Sequence, residues 1–160
     1  MNYVLFWPPF YFSSPKTKLI DIKKLLMGGI VGGILYFGLG YLVYGNLLME
    51  FMKNHPGAAT NVDRAEADFQ FLYLTIGNLA HGFLLAYIFV KGNVSSLSNG
   101  LITGAIVGLL MSAGINSIMY GVTNITSKTA MAADVAAFTV ISAIVGAIVG
   151  MVMGMGKKAA

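Results

Sequence analysis

The sequence predicts an all-α integral membrane protein, a four-helix bundle that reads as two repeated helical hairpins. Three observations predict it. Hydrophobic residues fill 57% of the 160 positions and charged residues only 10%, whereas soluble domains carry roughly 25% charge. So few charges cannot cover a water-facing surface, and lipid is the solvent that fits. Four stretches are apolar over the ~20 residues that a helix needs to cross a hydrocarbon core. All four lack proline, so each keeps its backbone hydrogen bonds inside the helix, as lipid demands.

The first span covers about 25–44, from Leu25 to Tyr44, with no charge until Glu50. The connection from Glu50 to Asp68 is the longest, and Pro56-Gly57 breaks the first helix within it. Thr60 with Asp63 three residues on reads as a helix cap, so the second helix is expected to start ahead of the membrane. The second span, about 69–90, holds His81 as its only titratable group other than tyrosine. Lys91 to Gly100 is a short Ser/Asn/Gly turn. The third span covers about 101–120 and the fourth about 135–155, bounded by Asp134 and Lys157. No acidic residue is then expected inside any span. Residues 21–160 make up the four-span domain, and residues 1–20 form an aromatic and proline-rich tail. That tail has no basic n-region or small-residue cleavage site, so it is a poor signal peptide. It reads either as an interfacial segment with Trp7, Phe10 and Tyr11 among headgroups, or as an over-extended reading frame whose native start lies near Leu19.

Orientation follows from lysine and arginine placement. With the N-terminus in the cytoplasm, Lys16, Lys18, Lys23, Lys24, Lys91, Lys157 and Lys158 are inside, and Lys53, Arg64 and Lys128 outside. Seven against three favours both termini inside, and places Tyr44 and Tyr120 at the outer interface. The basic residues flank spans instead of forming one patch, so no nucleic-acid partner is expected.

Shifting the first span by 76 residues lays it on the third. Gly28, Ile30, Val31, Gly32, Gly38, Tyr44 and Gly45 then match Gly104, Ile106, Val107, Gly108, Gly114, Tyr120 and Gly121, seven identities across positions 28–45. The second and fourth spans match more weakly. The repeated unit is a two-helix hairpin, and both copies enter from the same side.

Glycines at four-residue spacing dominate the spans: Gly28 and Gly32; Gly82; Gly100, Gly104 and Gly108; and Gly146, Gly150 and Gly154. That spacing puts small residues on one helical face and lets backbones approach closely. These glycines are expected to pack helices within one bundle, or to join a stripe on the fourth helix to a second subunit. The expected partners are the bilayer and a homodimer or larger membrane complex.

Polar side chains inside the spans are the candidate functional residues. His81 falls near mid-bilayer, where an ionisable residue is a functional hypothesis by default. The competing expectation is a neutral histidine hydrogen-bonded within the bundle. Tyr36, Thr75, Asn78, Ser112, Asn116 and Ser142 fall in the outer half, where inward-facing side chains would form one polar layer, opening outward as a shallow pocket or simply bonding helices together. His55 and the outer acidic residues match no metal-ligand spacing.

Enzyme signatures are missing. No G-x-G-x-x-G, phosphate loop, H-E-x-x-H or G-x-S-x-G occurs, and there is no cysteine. No catalytic, cofactor-binding or metal-binding residues are expected, and no cofactor. The segments GGIVGGILYFGLGYLVYGNLL, GNLAHGFLLAYIFVK and GAIVGLLMSAGINSIMYG resemble a group of small bacterial four-helix membrane proteins collected as a domain of unknown function. The resemblance covers about Asp21 to Lys158, with Tyr44-Gly45 matching the group's Tyr-Gly element. It implies a bacterial inner-membrane location and supplies no activity. The sequence thus leads to a non-enzymatic, structural or accessory, self-associating membrane protein. The alternative is a small-solute or ion transporter working as a dimer.

Overall fold

The structure, a computed structural model, describes residues 20–155. The aromatic tail up to residue 19, and Lys157 and Lys158, lie outside the described residues. Among the described residues five α-helices form: α1 (Ile22–Leu42), α2 (Met49–Lys53), α3 (Phe71–Gly92), α4 (Leu97–Val122) and α5 (Lys128–Gly154). Four are long and apolar enough to cross a membrane. The fold is all-α, a four-helix bundle of multi-pass membrane type.

Helix ends follow local chemistry. Asp21 caps α1 by accepting from the Lys24 amide at 3.1 Å. Ser96 and Ser127 cap α4 and α5 in the same way; each leaves a first-turn amide bonded to a side-chain oxygen. Asn93 ends α3 in the left-handed region at φ 52°, which asparagine tolerates better than most residues. α1 does not stop at Leu42 but continues through a π-helical turn, Val43–Leu47. Thr60 caps no helix. Its segment is irregular, a 3₁₀ turn follows at Glu66–Asp68, and α3 begins after Gln70, with no side-chain cap. Thr-x-x-Asp was too weak a signal to start a helix in a segment with no apolar face to bury.

Two antiparallel pairs make the bundle, α1 with α3 and α4 with α5. Glycines set both. A methyl group at Gly82 would run into the Gly33 amide and the Gly29 carbonyl, and one at Gly104 into the Ser142 carbonyl. Gly100, Gly108, Gly146, Gly150 and Gly154 are equally closed in by the facing helix or the turn before it. Gly28 and Gly32 pack against Ala86 and Gly82. The glycines matched by the 76-residue shift therefore do the same work, and Gly38 and Gly114 are both open, with nothing within 4 Å.

The pairs join mainly through α1 on α5. Their common core is Tyr36, Leu85, Ala86, Phe89, Ile141, Val145, Val149 and Met153, from α1, α3 and α5. α4 is zipped to another face of α5 and turns Ile102, Ile106, Leu110 and Ile118 outward, as lipid-facing residues do.

Candidate functional site

The polar side chains of the bundle gather along the junction of α1 with α5, in two layers. The deeper layer is centred on Tyr36, whose hydroxyl donates to Ser142 Oγ at 3.0 Å. Both residues are buried, at 3% and 0% exposure. Phe138, one turn from Ser142, stacks on the Tyr36 ring at 5.7 Å. His81 reaches across from α3, with its ring 5.9 Å from Tyr36 and edge-on to Phe138 at 5.4 Å. These are ring contacts, in place of the hydrogen bond the sequence suggested for His81.

The second layer lies nearer the end of the bundle that carries the long 48–70 connection. Asn116 Nδ2 donates to Asp134 Oδ2 at 2.6 Å and to the Ser112 carbonyl on its own helix at 3.0 Å. The Tyr44 hydroxyl lies beside the same Asp134 carboxylate. One carboxylate thus ties α1, α4 and α5 together. All three side chains are half-buried. Tyr44 stands in the π-helical turn, a distortion often found at functional sites.

Asp134 corrects the sequence reading, which used it as the boundary of the fourth span. α5 starts at Lys128, seven residues ahead of residue 135, and Asp134 is helical. A helix of 27 residues is ~40 Å long, and a hydrocarbon core of ~30 Å centred on it runs from about residue 131 to about residue 151. An acidic residue therefore does fall inside the long apolar helix α5, a candidate span. A charge need not mark a span boundary when it has partners, and the amide donor that holds Asp134 here comes from another helix.

The remaining predicted residues divide. Ser112 is buried, and its hydroxyl donates to the Gly108 carbonyl at 2.8 Å. Thr75 and Asn78 donate to Phe71 and Leu74 carbonyls on their own helix at 2.8 Å, and Thr75 is exposed. They do not join the others, so the single inward layer becomes a seam on α1, α4 and α5. A signal for it was present. Tyr36 and Tyr44, Gly108 and Asn116, and Asp134 and Ser142 each stand eight residues apart, which returns to one helical face.

Above the seam the connections are stitched. Ser127 Oγ donates to the His55 carbonyl at 2.7 Å, the Ala59 amide donates to the Asn124 carbonyl at 2.9 Å, and Pro56 bridges Thr126. His55 itself stacks on Phe51 at 4.3 Å. A shallow polar pocket of about 360 Å³ lies here, lined in part by Tyr120, Asn124 and Lys128.

No protein-family model matches this chain, and neither a curated protein nor a solved structure is significantly similar to it.

Proposed function

We propose that this multi-pass membrane protein is non-enzymatic and moves a small solute or ion, with the α1–α5 seam as its working site. The observation that carries the reading is Asp134, an acidic side chain within a span, held by Tyr44 and Asn116 at the junction of two glycine-packed hairpins. Intramembrane ionisable residues mark ion and substrate paths. Rigid pairs that meet along one polar line are the parts that rocking transport requires. Lysine placement supports both termini on the cytoplasmic side, so the Asp134 layer faces outward; the family resemblance supports a bacterial inner membrane.

Self-association is a second element of the proposal. The α5 glycine stripe is covered within the chain, so it is not the contact. The open Gly38 and Gly114 on lipid-facing surfaces are the small-residue positions at which a second copy fits.

The test is reconstitution into vesicles loaded with a pH-sensitive dye, under a potassium diffusion potential, with sodium, potassium and proton gradients imposed in turn. Flux above protein-free vesicles, reduced by Asp134→Asn, is expected. Flux equal to protein-free vesicles under every gradient overturns the transport reading. Cysteine labelling at Ala58 from outside and at Ser96 from inside checks the orientation, and labelling of Ser96 from outside reverses it.

A further inference from the structure

We infer that Asp134 is a reversible proton-binding site reached from the end of the bundle that carries the 48–70 connection, with Tyr44 and Asn116 as the partners that accommodate both of its states. The inference deepens the transport proposal and rests on it for its role, though not for its chemistry.

Three observations converge on the carboxylate. Its two neighbouring side chains are neutral: an amide from α4 that donates to it, and a hydroxyl from α1 beside it. A carboxylate in an apolar helix with no counter-charge among these neighbours is held by hydrogen bonding alone. Second, the partners are reversible. A proton taken from hydronium forms the acid's O–H bond and leaves water. That O–H donates to Tyr44 Oη, whose own hydrogen turns away, while the acid's carbonyl still accepts from Asn116 Nδ2. Release runs the same steps backwards. A hydroxyl both donates and accepts, so the Tyr44 oxygen can face the carboxyl in either state.

Third, access is one-sided. Asp134, Tyr44 and Asn116 are half-buried, close to the loops that cover this end. One turn deeper the Phe138 and Tyr36 rings stack. Beyond them Leu85, Phe89, Val145, Val149 and Met153 are all at most 2% exposed. That apolar block offers a proton no partner. The titratable or charged groups facing the seam are Tyr44 and Tyr36 from α1 and His81 from α3. α4 contributes only Ser112 and Asn116, and Lys128 stands at the start of α5 itself. His81, against both rings of the block, is the next group a proton would meet if the pairs rearranged.

Infrared difference spectroscopy on the full chain in lipid nanodiscs tests this. Acidification should raise the carbonyl stretch of a protonated carboxyl. The band should vanish in Asp134→Asn and shift in frequency in Tyr44→Phe, which removes its hydrogen-bond partner. Superimposable difference spectra of wild type and Asp134→Asn overturn the inference, as does a band unmoved by Tyr44→Phe. If Asp134→Asn fails to fold, ¹³C-aspartate labelling of a chain carrying Asp21→Asn, Asp63→Asn and Asp68→Asn leaves Asp134 as the sole labelled carboxyl, and no labelled band on acidification refutes the site. The band without vesicle flux upholds the site while the transport reading falls. Flux without the band removes the site and leaves that reading standing.

Discussion

Two faces of α5 hold their neighbours in opposite ways. Toward α4, Ser142, Gly146 and Gly150 meet Gly104 and Gly100 with backbone against backbone. Toward α1, Ser142 meets Tyr36 through a side-chain hydrogen bond, and Asp134 lies beside Tyr44. In lipid no hydrophobic drive pulls apolar helices together, so dispersion at close range and hydrogen bonds carry association. The glycine face uses the first. It has one geometry and no slack, because a backbone atom cannot rotate away. The polar face uses the second, and its groups can exchange partners. A rigid joint and an adjustable joint thus share one helix, and Ser142 belongs to both.

Substitutions test that contrast, beginning with the rigid side. Gly104→Leu should cost the most, about 3 kcal/mol by overpacking, because its Cβ would strike the Ser142 carbonyl. Detergent unfolding followed by circular dichroism measures it, and a wild-type midpoint would show that this joint does have slack. Asn116→Ala should cost less, about 2 kcal/mol, since it strips a donor from a half-buried carboxylate. The same unfolding assay reads it. A loss as large as that of Gly104→Leu would erase the distinction between the joints.

Ser142→Ala should cost only ~0.6 kcal/mol, typical of an interhelical hydrogen bond in a membrane. A double-mutant cycle with Tyr36→Phe isolates that coupling, and a coupling near zero means the buried pair holds nothing. The smallest effect is expected at Gly38→Ala. Nothing lies within 4 Å of that position, so replacing a helical glycine should leave stability unchanged or raise it by about 0.5 kcal/mol. A clear loss would reveal a neighbour on that face, and crosslinking of Gly38→Cys between copies would identify it as a second subunit.

How far the chain can be read without coordinates differs between the joints. Glycines every fourth residue announce their own packing face, so Gly104 and Gly146 were legible as close-contact positions. Tyr36 and Ser142 were legible as polar residues within spans, but not as a pair, since 106 residues separate them. Asp134 was misplaced because a charge at the edge of an apolar run looks like the end of the run. Thr75 shows the converse. Its hydroxyl resembles the others in sequence, yet it bonds its own helix on an exposed face.

The sequence by itself determined four apolar helices and the glycine spacing that lets neighbours touch. These follow from local composition and helical period, which need no knowledge of what lies opposite. Only the tertiary structure decided which helices pair, that α1 meets α5, and that Tyr44, Asn116 and Asp134 converge. Those outcomes depend on the rotation of each helix about its axis. That rotation is fixed by the fit of several surfaces at once, not by any single segment.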